Sequence, residues 1–392
     1  MKHIILSIVF TAVSIVAWGQ DIFTPVLQQI EENSTTLQAL QQQMEADKLQ
    51  NKTGLTPDNP EVSFGYLWGN PATIGNRKDV SVSQSFDFPT AYVQRSRLSN
   101  LQNNSVEYRY RTEHMQLLLS AKELCIELIY NNMLREMYAV QVENARRIAE
   151  AYESLLQKGE ANRLEYNKAA LNYATMENEL KRIDLERERL TADLTALNGG
   201  QPIVFDATAY AVPALPADFE QWYKDAEANN PSLQYLRSEV EVAARQVKLS
   251  QAEGLPKMAV GYMSEFVAGE RFQGVTVGVS IPLWQNKNRV KQARAAALAS
   301  ERVAEDSRVQ YYNHLRSLYN QAVGLQQSVA LYTSSLGENS SDKLLLKAFE
   351  KGELSLLEYL LEMEYFYECF QKRAAAERDL AHLLAELTAY TL

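Results

Sequence analysis

The chain has 392 residues, with 39 Lys and Arg against 49 Asp and Glu, for a formal net charge of −10. That balance argues against a nucleic-acid partner, which demands a basic face. Two cysteines are too few for a disulfide scaffold, and Cys125 and Cys369 read as small buried residues rather than as a pair.

Residues 1–19 read as a secretory signal peptide. Lys2 and His3 give a positive start, Ile4 to Ala17 forms an apolar core, and Ala17-Trp18-Gly19 supplies small residues before a cut near Gln20. No later segment has the roughly 18 consecutive apolar residues of a membrane-crossing helix. Any membrane passage of the mature chain must therefore use strands.

A first structural repeat is expected over 20–198. After an opening helix come strands at about 59–69 and 78–89. Val62, Phe64, Tyr66 and Trp68 alternate with Glu61, Ser63 and Gly65; Val80, Val82, Phe86 and Phe88 alternate with Ser81, Ser83, Ser85 and Asp87. One face is bulky and apolar and the other small and polar, over a length near that of a tilted membrane strand. A soluble sheet with one wet face has the same alternation. From Tyr92 to Gln157 there is neither proline nor glycine, enough for about 100 Å of helix. Lys158-Gly159 then fits a helix end. The next helix carries the seam Ala169, Tyr173, Met176, Leu180, Ile183, Arg187, Leu190, Leu194, Leu197, whose steps of four and three residues mean coiled-coil packing.

Residues 199–218 form a connector, broken by Gly199-Gly200, Pro202, Pro213 and Pro216. A second repeat follows over 219–392, with strands at about 256–267 and 272–284. Met258, Val260 and Tyr262 alternate with Ala259 and Gly261; Val275, Val277, Val279, Ile281 and Leu283 alternate with Thr276, Gly278, Ser280 and Pro282. A long helix with the stripe Leu315, Leu318, Ala322, Leu325, Val329, Tyr332, Leu336 and a last helix with the seam Phe366, Cys369, Arg373, Ala376, Leu380, Leu383, Leu387, Tyr390 complete it.

The two repeats share a register. Lys158-Gly159-Glu160 returns 193 positions later as Lys351-Gly352-Glu353, and Leu164-Glu165-Tyr166 as Leu357-Glu358-Tyr359. Upstream the offset is 196, carrying Asn33 and Leu37 onto Asn229 and Leu233, and Gly65-Tyr66 onto Gly261-Tyr262. Each half reads helix, strand, strand, long helix, helix. Four strands leave open edges, which lipid does not tolerate. Closure needs several chains: two would give eight strands with a side-chain-filled interior, three would give twelve around a water-filled lumen.

With this plan, strands ending at Phe88-Pro89 and Ile281-Pro282, Asn-Pro-Ser-Leu at 230–233, and Lys-Gly-Glu at both helix–helix turns, the chain resembles the TolC family of outer-membrane efflux proteins. The resemblance implies a mostly α-helical subunit with four strands. Three subunits would form a twelve-stranded β-barrel in the outer membrane joined to a long periplasmic α-helical barrel. It implies a homotrimer in outer membrane lipid, serving as passive exit duct for an inner-membrane efflux pump and a periplasmic adaptor protein. It also implies that the turns bearing Lys158, Gly159, Glu160 and Lys351, Gly352, Glu353 meet the adaptor.

Glu353, Glu358, Glu362, Glu364 and Glu368 crowd one helix start, and like charges four residues apart mildly destabilise a helix. In the family, acidic residues near this tip ring the periplasmic entrance. Glu358 matches the first of those positions. Leu361 stands where a second acid belongs, with Glu362 beside it, so Glu358 and Glu362 are the candidate entrance residues. The plain alternative is a solvated helical face favoured by the helix dipole. Glu362 also falls on the seven-residue count of the seam, which would turn it toward a neighbouring helix.

The histidines are scattered, and there is no His-x-x-x-His, Cys-x-x-Cys, Walker loop or dinucleotide fingerprint. No catalytic, metal or cofactor site is expected, and no enzyme activity. The competing class is a non-pore periplasmic coiled-coil scaffold, which would have no use for four strands of membrane-crossing length.

Overall fold

A computed structural model describes residues 22–211, 215–284, 286–337 and 341–392. The expected signal segment, and Pro213 of the connector, lie outside them. The chain divides into two compact units, one of residues up to 33 and from 124 to 213, the other of 34–123 and 214–392.

The helix expected to open each half is two helices. In the first half these are α1 (Thr24–Asn33) and α2 (Thr35–Gln50); in the second, α5 (Phe219–Asn229) and α6 (Pro231–Ala252). The break falls at Ser34 and Asn230, which are 196 positions apart and share one backbone conformation, φ −61° ψ 115° and φ −66° ψ 117°. Both are N-caps. The Leu37 N–H donates to Ser34 Oγ and the Leu233 N–H to Asn230 Oδ1, at 3.4 and 3.0 Å. Pro231 reinforces the second break, because it holds the residue before it extended and suits a first helical position.

In the first unit, α3 (Pro89–Lys158) contributes its later part and α4 (Arg163–Leu197) packs with it. The seam residues Ala169, Ile183, Leu190 and Leu194 are buried. The charged seam residue Arg187 is turned to use. Its Nε donates to Asn132 Oδ1 of α3 at 3.0 Å, and Nη2 pairs with Asp206 of the connector at 2.6 Å. The connector is also tied to α3 by the Tyr210 hydroxyl, which donates to the Ile126 carbonyl at 3.0 Å. Cys125 is fully buried here; neither cysteine is in a disulfide.

In the second unit, β1 (Glu61–Leu67), β2 (Arg77–Phe86), β3 (Lys257–Val267) and β4 (Glu270–Ser280) form one antiparallel sheet in the order β1-β2-β3-β4. Two strands stop short of their expected ends. Asp87 and Phe88 lie outside β2, and Ile281 to Trp284 outside β4. Pro89 and Pro282 lack the N–H that would continue the ladder, and Pro89 instead starts α3. Beside α2, the first part of α3, α5 and α6, the unit holds α7 (Arg289–Gly337), α8 (Ser341–Glu350) and α9 (Leu356–Leu387), so the second long helix is described as two helices. Its core joins Phe219, Tyr223 and Ala226 of α5 to Leu315, Leu318 and Ala322 of α7 and Leu380, Leu384 and Leu387 of α9.

Among the described residues no helix is long and apolar enough to cross a membrane. The sheet is another matter. Phe64 on β1, Val260 on β3, and Val275, Val277 and Val279 on β4 are exposed, Val277 to 76%. They share one face, since the pairs Val80–Ser264, Val82–Tyr262 and Val260–Val277 lie directly opposite. The other face pairs Ser63 with Ser81, Ser83 with Gly261, and Gly261 with Thr276.

Candidate functional site

The two Lys-Gly-Glu turns have the same hydrogen-bonding pattern. At the end of α3, Gly159 takes φ +74°, its N–H donates to the Leu156 carbonyl at 3.1 Å, and the Glu160 N–H donates to the Leu155 carbonyl at 2.9 Å. At the end of α8, Gly352 takes φ +73°, its N–H donates to Phe349, and the Glu353 N–H donates to Ala348, both at 2.9 Å. Both are Schellman closures, where glycine supplies the left-handed residue that a side chain would strain.

The next helix then starts the same way in each copy. Glu165 N–H donates to Asn162 Oδ1 at 2.9 Å while Asn162 N–H donates to Glu165 Oε2 at 3.0 Å. Glu358 N–H donates to Ser355 Oγ at 3.3 Å, while Ser355 N–H and Oγ–H donate to Glu358 Oε2 at 2.9 and 2.7 Å. These are capping boxes. The sequence signal was present: Asn162-x-x-Glu165 and Ser355-x-x-Glu358 both follow the glycine at the same spacing.

This gives Glu358 a definite local role. Its carboxylate is folded back onto the first turn of its own helix. The Ser355 hydroxyl, and then the Ser355 backbone N–H, hold its pKa below the ordinary glutamate value. Glu362, one turn on, is exposed and borders the stripe of buried Leu356, Tyr359 and Met363 on α9. The seam expected to start near Phe366 is continued upward by Met363 and Tyr359, so Glu362 is not a buried position of this chain. Glu358 and Glu362 flank Leu361 and Tyr365, exposed to 56% and 68%. Two of the other acids act locally: the Glu353 N–H closes the turn and Glu368 pairs with Lys372 at 2.7 Å.

A second cluster was not singled out from the sequence. Where the sheet meets its helices, Arg95 Nη2 pairs with Asp87 at 2.6 Å and with Glu253 at 3.0 Å. Lys257 Nζ reaches Asp87 at 2.9 Å and Arg289 Nη2 reaches Glu253 at 3.0 Å. Asp87 follows β2, Arg95 is in the second turn of α3, Glu253 ends α6, Lys257 opens β3 and Arg289 opens α7. One network therefore ties three of the four strand–helix junctions. Burial alone would raise the Asp87 carboxyl, but hydrogen bonds from Lys257 and Arg95 outweigh it and hold it below the usual aspartate value. The hint in the sequence was a charge at two strand ends, Asp87 after β2 and Lys257 at the start of β3.

Residues 222–390 match the family described as outer membrane efflux protein. An outer membrane efflux protein domain therefore runs from α5 through α9. The alkaline protease secretion protein AprF of Pseudomonas aeruginosa is 24% identical over 92% of this chain and 82% of its own length. Among solved structures, that of CusC has a TM-score of 0.77 at 13% identity, covering 94% of this chain and 91% of CusC. The outer membrane protein VceC of Vibrio cholerae has 0.74 at 13%, covering 94% and 95%. At that identity the structural likeness speaks for the fold, and it extends over nearly all of the chain. The outer membrane efflux protein domain makes this a protein of the outer membrane.

Proposed function

We propose that this efflux protein works as a homotrimer. Three four-stranded sheets would close into a twelve-stranded barrel through the outer membrane, forming a passive exit duct fed from the periplasm. The carrying observation is the sheet itself. One face is dominated by exposed valine and aromatic side chains, the opposite face has serine, glycine and threonine along its middle, and β1 and β4 are open edges. Unpaired edge groups cost several kcal/mol each in hydrocarbon, so a membrane position requires neighbouring copies. A small polar inner face suits a wet lumen. The competing scaffold reading leaves the exposed apolar face without a use.

The chain carries no energy-coupling motif, so an inner-membrane pump would drive transport, with a periplasmic adaptor between them. Each Lys-Gly-Glu turn is a rigid, well-capped tip on which such an adaptor could seat. The relative named for alkaline protease secretion favours an exported protein as a second cargo class beside small solutes. The expected result for the purified protein in mild detergent is a trimer by light scattering, with ohmic channels in planar bilayers. A stable, non-conducting monomer overturns this reading.

The acids at the start of α9 are assigned to the periplasmic entrance. Three copies of Glu358 and Glu362 would form a carboxylate ring favouring cations. Glutamine also completes a capping box, so Glu358→Gln/Glu362→Gln removes charge while leaving the helix start intact. Single-channel recordings of this double variant are expected to show reduced cation selectivity and weaker block by multivalent cations from the periplasmic side. Because Ser355 holds the Glu358 carboxyl below the ordinary glutamate value, its share of the selectivity should be lost at a lower pH than an ordinary glutamate's would be. Unchanged selectivity in the double variant would reduce these acids to a solvated helix face.

A further inference from the structure

The apolar face of the sheet ends in a pattern that the duct does not require. At the hairpin end, farthest from the helices, one row of cross-strand neighbours reads Tyr66, Lys78, Phe266, Arg271, from β1 to β4. Aromatic and cationic side chains alternate across it. Lys78 Nζ lies over the Tyr66 ring at 5.8 Å from its centre, and the Arg271 guanidinium over the Phe266 ring at 5.0 Å. Arg271 Nε donates to Ser264 Oγ at 3.1 Å, which orients the guanidinium and leaves its terminal N–H groups to donate elsewhere. Trp68 lies edge-on to Tyr66 at 5.5 Å and is 80% exposed.

Charge is sorted between the two faces at this end. Arg77, Asp79 and Glu265 belong to the other face, where Arg77 pairs with Asp79 at 2.8 Å and Glu265 at 2.9 Å. Among the described residues neither Lys78 nor Arg271 is paired with a carboxylate. Two cations are thus placed at the rim of an apolar band, each lying over an aromatic ring, with no acid to neutralise them. They sit on strands two apart, roughly 10 Å across the sheet, too far for one phosphate and suited to a larger headgroup. From Phe86 to Lys78 the band spans eight residue steps of β2, about 20 Å once tilted, close to the apolar height of an outer-membrane barrel.

We propose that the Tyr66–Lys78–Phe266–Arg271 row is a docking surface for the phosphorylated headgroups of outer-leaflet lipid. The rings sit at the headgroup boundary and the two cations contact phosphate. This rests on the membrane position proposed above. Cations near an anionic membrane surface contribute about 1 kcal/mol each, so losing both should weaken binding on the order of thirtyfold.

The test uses the full chain in detergent micelles, titrated with lipid A as a diphosphorylated glycolipid and with its dephosphorylated form, and bound lipid counted by native mass spectrometry. The parent should prefer the phosphorylated form, and inorganic phosphate alone should not displace it. Lys78→Gln/Arg271→Gln should lose that preference, Lys78→Arg/Arg271→Lys should keep it, and Arg77→Gln on the opposite face should leave it unchanged. Equal binding of both lipids by the parent, displacement by inorganic phosphate, or full binding by the Gln double variant overturns the proposal. If that variant fails to assemble, the parent's lipid preference and the charge-preserving swap still decide. A conducting trimer without lipid preference sinks this inference alone; a non-conducting monomer sinks it together with the duct.

Discussion

Val277→Arg is expected to abolish membrane assembly while its neighbour Thr276→Arg is tolerated. Val277 stands opposite Val260 in the apolar face, 76% exposed in the single chain. Near the bilayer midplane an arginine there costs about 2–4 kcal/mol per copy. In a trimer the cost is met three times, in a structure whose sheet edges already depend on the neighbours. Thr276 stands opposite Gly261 on the polar face, where a long cation reaches water. The measurement is the yield of heat-modifiable, detergent-resistant oligomer in outer-membrane fractions. Equal loss in both variants would reverse the assignment of faces, and equal tolerance would remove the sheet from lipid altogether.

Arg95→Met is expected to destabilise the second unit by about 2 kcal/mol. Removing one partner of a fully buried ion pair costs about 3–5 kcal/mol, and here Arg95 keeps 23% exposure and its partners Asp87 and Glu253 15% each, so water screens part of the loss. Methionine retains most of the arginine stem, which isolates the charge. The pH dependence has a definite sign. Asp87 has its folded pKa depressed, so its contribution is present above the unfolded aspartate pKa and is lost as pH falls through the lower folded value. In Arg95→Met that depression shrinks, so the acid-induced loss should be smaller and complete at a higher pH. Urea unfolding in detergent across the acid range checks both the offset and its shift. Identical curves for parent and variant would mean the network adds nothing to the junction.

Features written within a few residues were legible in the sequence. The two-residue alternation of β1 to β4, the coiled-coil seam of α4 and the glycine closing each tip were all visible, because a strand face, a helix stripe and a Schellman turn each depend on neighbours two to five positions apart. The duplication was visible for the same reason, since the same local rules recur at a fixed offset. The capping boxes were equally local and went unread; Ser355-x-x-Glu358 stood within a segment read only as acidic. The break at Ser34 and Asn230 was likewise announced by two good N-cap residues.

Long-range pairing was another matter. Nothing near Asp87 in the sequence points to Glu253 or Lys257, and nothing near Lys78 points to Phe266 or Arg271. Those meetings depend on the register of β2 against β3 and of β3 against β4, and a slip of one residue would move every one of these side chains to the other face. The sequence by itself determined the elements, their two faces and their repetition, because periodicity and caps are properties of a short stretch of chain. Only the tertiary structure decided which charges neutralise one another and which are left facing outward, because that depends above all on the register of β2 against β3, segments more than a hundred residues apart.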